Sequence, residues 1–326
     1  MARPVGVLLL QLGTPDEPTP AAYRRYLLEF LSDPRVIEAP GLLWWFVLRF
    51  LILPRRTPRM VESYRRVWSE AGGSPLLVAT AAQAKGLEER LEGRATVRFA
   101  MRYGSPSLGE ALDAFAAAET ERLIFVPLYP QYSSTTTGSA LDALAEGIRR
   151  RRFVPAIRTA SPFYDHPAYI DALASGVRRT IAPANAPPDM YVFSFHGLPR
   201  SYAERGDPYP VHCRETARLL AVALGLAPEG WVLSYQSRFG REPWLEPGTQ
   251  ETVESLAARG VRRILVVTPG FVADCLETID EIGRDVAGAF RKAGGRAFVR
   301  CPCLGDDPVW LDALARIVRE EGAGWL

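Results

Sequence analysis

Short unbroken runs of Val, Ile, Leu and Phe recur along the chain, separated by longer stretches in which apolar residues return every three or four positions. The short runs predict strands at 5–11, 96–101, 122–127, 154–159, 190–195, 231–235, 263–268 and 297–301. Most are continuous rather than alternating, the pattern of strands covered on both faces. The periodic stretches predict helices at 81–91, 107–118, 139–151, 211–223 and 250–259, with a last one at about 308–321. Strand–helix alternation of this kind predicts an α/β protein built on parallel sheets with helices on both faces.

The pattern also repeats. Leu8-Leu9-Leu10-Gln11-Leu12-Gly13-Thr14-Pro15 resembles Val192-Phe193-Ser194-Phe195-His196-Gly197-Leu198-Pro199, a buried strand running into Gly-x-Pro. Later in each half, Arg122-Leu123-Ile124-Phe125-Val126-Pro127 resembles Arg263-Ile264-Leu265-Val266-Val267-Thr268-Pro269. Two related three-layer domains are expected, 1–155 and 156–305, with the helix of 306–326 packing back across their joint. Ligands of open α/β sheets bind beyond the carboxyl ends of the strands, so the repeated strand ends are where a site is sought.

Composition narrows the function classes. The 326 residues are 48% apolar and 23% charged, as in an ordinary globular protein. A net charge of +2 leaves no footprint for nucleic acid. No Gly-x-Gly-x-x-Gly follows a strand, and neither a Walker loop nor a Gly-x-Ser-x-Gly elbow occurs. The opening residues lack the pattern of a secretory signal, and the longest apolar segment, 41–54, contains Arg49 and is short of the roughly 20 residues that span a bilayer. Cys213, Cys275, Cys301 and Cys303 are scattered, not framed as a disulfide scaffold. A cytoplasmic protein with reduced thiols is expected.

Three features carry candidate chemistry. His196, one of three histidines, ends a strand just before a turn, where imidazole suits proton transfer or metal binding; a turn-fixing role fits the position equally. Asp274, Glu277 and Glu281 follow the 263–268 strand; a helix starting near Ala273 stacks Glu277 and Glu281 on one face, although acids in a first helical turn are also common for dipole reasons alone. The run Leu42-Leu43-Trp44-Trp45-Phe46-Val47-Leu48, continued by Phe50-Leu51-Ile52-Leu53, is apolar on nearly every face of a helix. It fits two uses: a lip over a greasy ligand, or a patch on a membrane surface, with Arg55, Arg56 and Arg59 placed to meet carboxylates or headgroups. Cys301-Pro302-Cys303 is too tight for a zinc knuckle and reads as core.

Ordered matches along the whole chain resemble the ferrochelatase family. They include Leu10-Gln11-Leu12-Gly13-Thr14-Pro15, Phe30-Leu31-Ser32-Asp33-Pro34-Arg35-Val36, Pro54-Arg55-Arg56-Thr57-Pro58 and Met101-Arg102-Tyr103-Gly104-Ser105-Pro106. Further on come Tyr129-Pro130-Gln131-Tyr132-Ser133-Ser134-Thr135-Thr136-Thr137-Gly138, Phe193-Ser194-Phe195-His196-Gly197-Leu198-Pro199, Arg205-Gly206-Asp207-Pro208-Tyr209-Pro210, Gln236-Ser237-Arg238-Phe239-Gly240-Arg241-Glu242-Pro243-Trp244-Leu245 and Gly270-Phe271-Val272-Ala273-Asp274-Cys275-Leu276-Glu277-Thr278. The resemblance implies two Rossmann-like domains of the chelatase type with a porphyrin cleft between them, and insertion of Fe²⁺ into protoporphyrin IX or coproporphyrin III in haem biosynthesis. It carries His196 and Glu277 over as the catalytic and metal-facing pair, and Glu281 as the next acid along, with Asp274 beside it in an acidic relay. Leu12, Leu42, Trp45, Arg55, Arg56, Tyr64, Arg102, Tyr103, Trp244 and Phe271 fall on positions that line or support the porphyrin pocket, and residues 38–56 form its lip.

Many members read Ser-Ala-His-Ser-Leu-Pro and Asp-His-(Leu/Ile)-Glu, where this chain has Phe195, Gly197 and Cys275. That resembles a branch found in many Gram-negative bacteria and leaves one imidazole in the site. Iron enters as substrate; no resident cofactor and no iron–sulfur cluster are expected, because cysteines of a C-terminal extension are missing before Leu326. The expected partner is porphyrin, with peripheral membrane contact as the second use of the apolar run, no nucleic acid, and a monomer or homodimer. Chelation of another metal such as cobalt, and porphyrin or haem carriage without turnover, are the alternatives.

Overall fold

The computed structural model describes residues 4–38, 41–68, 73–182, 187–240 and 242–326. Positions 39 and 40 of the expected lip and Arg241 of the quoted motif lie outside the described residues.

Two compact units emerge. Unit 1 comprises 1–129, 133–161 and 314–326; unit 2 comprises 130–132 and 162–313. Unit 1 holds a four-stranded sheet of β1 (Val5–Gly13), β2 (Thr96–Tyr103), β3 (Arg122–Pro127) and β4 (Ala156–Thr159), in the order β2-β1-β3-β4. Unit 2 holds β5 (Met190–His196), β6 (Trp231–Gln236), β7 (Arg263–Val267) and β8 (Ala297–Arg300), in the order β6-β5-β7-β8. Every pairing is parallel. The strand order of the first sheet is thus reproduced in the second, as the repeated motifs led one to expect.

The central strands are apolar throughout because helices cover both of their faces. Val7 to Leu10 of β1 and Val192 and Phe193 of β5 have no accessible surface. Each such side chain stabilises the fold by about 1.5–3 kcal/mol relative to an exposed one. In unit 1, Leu8, Leu10, Leu123 and Phe125 pack with Leu112 and Phe115 of helix Leu108–Ala117 and Leu144 of helix Ser139–Arg149. In unit 2, Val192, Ile264 and Val266 pack with Val253 and Leu256 of helix Thr249–Ala258 and with Phe290. The strand ends shift from the expected bounds by a residue or two, β4 starting at Ala156 rather than 154. The helices Pro20–Leu31, Leu53–Val67 and Pro167–Ile181 were outside the expected set.

Helix Pro308–Glu321 is shared between the units. Trp310 has no accessible surface and packs on Phe163 and Tyr169 of unit 2. From Leu314 onward the chain belongs to unit 1, where Trp325 lies under the guanidinium of Arg158, 4.1 Å from the ring centre.

Two helical segments depart from α geometry. Leu48–Ile52 closes i→i+5 bonds between helices Gly41–Val47 and Leu53–Val67. Pro54 has no N–H to continue the α ladder, which accounts for a wide turn just before it. The second, Glu277–Val286, was expected as an ordinary helix starting near Ala273; helical structure begins only at Leu276, and the wide geometry covers ten residues.

Candidate functional site

In unit 2, β5 ends on His196, adjacent in the sheet to Gln236 at the end of β6. The Gly197 N–H donates to the Gln236 carbonyl at 2.8 Å. A Cβ on Gly197 would lie 2.8 Å from that carbonyl oxygen and 3.1 Å from the Trp244 ring, so only glycine fits this approach. The half-buried His196 imidazole turns its Nδ1 to the Gly197 carbonyl at 2.7 Å. A carbonyl can only accept, so Nδ1 is the donor in this contact, and in the neutral ring Nε2 holds the lone pair. The tautomer is set by the turn that follows the strand.

After β7 the chain turns through Pro269 and Gly270, with the Phe271 N–H donating to Thr268 O, and enters the wide helix that carries Glu277 and Glu281. Both carboxylates are partly accessible. Ser237, the residue after β6, donates its N–H to Glu281 Oε1 at 2.7 Å and its Oγ–H to Oε2 at 2.6 Å. Burial pushes the Glu281 carboxyl up; the Ser237 hydroxyl and the nearby His196 oppose that, while Glu277 adds to it, and the net direction is upward. Glu281 is thus within electrostatic reach of both His196 and Glu277.

Asp274 stands apart from this pair. It accepts from Arg300 Nη1 of β8 and, at 2.7 Å, from Thr278 Oγ1. Those bonds tie the approach to the helix down against the sheet edge. Cys275, where many relatives carry histidine, is buried, and burial first, then Glu277, pushes its thiol well up. Trp244 is buried against Phe239, with ring centres 5.1 Å apart, and Phe271 is partly accessible. Among the described residues, no group of three or more His, Cys, Asp and Glu side chains is arranged to hold a metal ion.

Unit 1 holds the remaining expected residues. Leu12, half-buried, packs on the core at the end of β1, next to Gly13 (φ 115°), where a Cβ would lie 1.8 Å from the Tyr103 carbonyl oxygen. Tyr103 is 1% exposed, and its hydroxyl donates to Asp33 at 2.8 Å. Arg102 pairs with the same carboxylate at 2.6 Å and donates to Ser139 Oγ at 2.7 Å. Burial alone would raise the Asp33 carboxyl; Ser139, Tyr103, the Arg35 N–H and Arg102 together hold it below its usual value. Tyr103 therefore offers almost no contact surface. Asp33 and Ser139, which complete this network, were not among the expected site residues.

The apolar run forms the helical segment from Gly41 to Ile52. Leu48 anchors it with 1% exposure, and Trp44 Nε1 donates to Leu31 O. Leu42, Leu43, Trp45, Phe46, Phe50 and Leu51 stay exposed, with Arg49 over Trp45 at 4.8 Å. Arg55 is exposed and Arg56 half-buried on the helix that follows, whose inner face buries Tyr64 against Tyr23. No helix among the described residues is long and apolar enough to cross a membrane.

A family model described as ferrochelatase matches residues 4–322. The chain belongs to the ferrochelatase family. A ferrochelatase of Pectobacterium atrosepticum is 50% identical over 96% of this chain and 97% of its own length. One of Azoarcus sp. is 49% identical over 98% and 88%. Among solved structures, SirB from Bacillus subtilis with Fe³⁺ aligns over 98% of this chain and 96% of its own at a TM-score of 0.59, with 13% identity. A sirohydrochlorin chelatase from B. subtilis subspecies spizizenii in complex with cobalt gives 0.57 over 98% and 95%, at 11%. Those two likenesses concern the fold: two parallel sheets flanked by helices, in the manner of chelatases.

Proposed function

We propose that this member of the ferrochelatase family is a lyase that inserts Fe²⁺ into a porphyrin in haem biosynthesis, with His196 as the pyrrole-proton acceptor, facing the metal opposite Glu277. The observation that carries the assignment of His196 is the contact of its Nδ1 with the Gly197 carbonyl. With Nδ1 tied to the Gly197 carbonyl, Nε2 is a ready acceptor, and the imidazolium formed on protonation keeps the same bond. A porphyrin must lose two inner protons as the metal enters. Glu277 and Glu281 on one helix supply carboxylates that can take up those protons or replace water around a hard cation in steps.

Asp274 is assigned here an anchoring role, because its carboxylate is engaged by Arg300 and Thr278. The exposed aromatic face around Trp45 and Phe46 and the cations Arg55 and Arg56 have the chemistry of a flat apolar ring with carboxylate tails. Trp244, Phe271 and Leu12 are retained as apolar contacts, and Tyr64, Arg102 and Tyr103 as supports. The family match supports iron as substrate; no resident cofactor, iron–sulfur centre included, enters this reading.

The test is an anaerobic insertion assay with Fe²⁺, Zn²⁺ and Co²⁺, each against protoporphyrin and coproporphyrin. His196→Ala is expected to lower kcat by about 10²–10⁴-fold, the usual loss of a proton acceptor. Near-wild-type chelation by that variant, or tight porphyrin binding by the native protein with no metalloporphyrin formed, sinks the proposal.

A further inference from the structure

Three non-glycine residues among those described have left-handed backbones: Glu92, Glu119 and Ser237. The first two lie just past the helices Pro75–Arg90 and Leu108–Ala117, where left-handed residues commonly end a helix. Ser237, at φ 65°, follows a strand instead. A conformation unfavourable for a non-glycine residue persists only where its surroundings hold it there.

What the conformation achieves is visible in its partners. One residue directs both its backbone N–H and its own hydroxyl at a single carboxylate, one donor to each oxygen of Glu281. The same strand end is fixed from the other side, where Gln236 lies beside His196 in the sheet and its carbonyl accepts the Gly197 N–H. One end of β6 therefore ties down both the turn that sets the His196 tautomer and the carboxylate on the facing helix.

We infer that Ser237 is a positioning residue for proton or metal transfer, holding Glu281 at a fixed place relative to His196 through the paired ends of β5 and β6. This inference rests on the reading above that Glu281 takes part in the relay. Hydrogen bonds to a charged acceptor are the strong ones, and two donors from one backbone position leave the carboxylate little rotational freedom. A merely structural tie between β6 and the helix would move stability in step with rate.

The experiment is a double-mutant cycle on the whole protein, read by steady-state insertion of Fe²⁺ into porphyrin and by thermal unfolding. Ser237→Ala is expected to lower kcat about tenfold, the loss of one charge-assisted hydrogen bond, with KM for porphyrin unchanged and the same factor at assay temperatures well below its Tm. Ser237→Gly keeps the N–H and relaxes the backbone, and is expected to lose the same factor without any loss of Tm. In a Glu281→Gln background the Ser237→Ala change is expected to have no further effect, since groups acting through one another are non-additive. Wild-type kcat in Ser237→Ala, an additive loss in the double variant, or a loss that follows Tm each overturns the inference. Wild-type kcat in Glu281→Gln overturns it together with the Glu281 relay, and is told apart from the other failures by that single variant.

Discussion

At Gly197 a single hydrogen atom in place of a side chain decides how the strand end is built. Many relatives carry serine at the corresponding position, whereas in this chain a Cβ would press on the Gln236 carbonyl and the Trp244 ring. Gly197→Ser is therefore expected to cost about 1–3 kcal/mol of stability, by overpacking, and to lower kcat as the Gly197–Gln236 bond is displaced. Denaturant unfolding and the insertion assay check the two halves of that expectation. His196 itself was legible, because a histidine closing an apolar run before Gly-x-Pro has little else to signify than a strand end. Its tautomer was not, since it depends on where the next carbonyl points. Ser237 was equally hidden: nothing in Gln236-Ser237-Arg238 announces a left-handed backbone, and the partner it holds is remote in sequence.

Among the elements, the strands were the easiest to read, because β1, β3, β5 and β7 are buried on both faces and keep unbroken apolar runs. The helix bearing Glu277 was read with the wrong start and the wrong winding. Acids at 274, 277 and 281 match an α-helical face, but Asp274 precedes the helix and is bonded to Arg300. The ion pair makes a sharp distinction between anchoring and relay. Asp274→Asn and Arg300→Ala are each expected to lose about 1.5–3 kcal/mol, the range for hydrogen bonds to charged groups, with kcat within a few-fold of wild type. Glu277→Gln, by contrast, should lower kcat about a hundredfold at unchanged Tm. The helix of residues 20–31 was outside the reading although Tyr23, Tyr26, Leu27 and Leu31 keep helical spacing, and the fold turns them inward with Arg24 and Arg25 on the exposed face.

For the molecule as a whole, the Asp33 network sets an acid limit. The unfolded carboxyl titrates near 3.8, and the folded one lies lower because Ser139, Tyr103, Arg35 and Arg102 outweigh the effect of burial. A lowered native pKa means that the stabilisation is complete above the unfolded value and is lost as pH falls through the folded one. Urea unfolding should show a constant gap between wild type and Asp33→Asn well above pH 3.8, closing progressively as the pH falls below 3.8 and through the folded value. An equal gap at every pH would assign the cost to packing and not to charge.

The matching strand orders also say something about ancestry. Two sheets arranged alike, with β1 ending on Gly13 and β5 followed directly by Gly197, are the pattern that copying and joining one half-length gene would leave. Aligning the copies sets Leu12 against His196 and Gly13 against Gly197. One copy thus keeps an ionisable ring where the other keeps an alkyl group that can neither bind a cation nor carry a proton. The architecture occurs twice, and the imidazole at the strand end once.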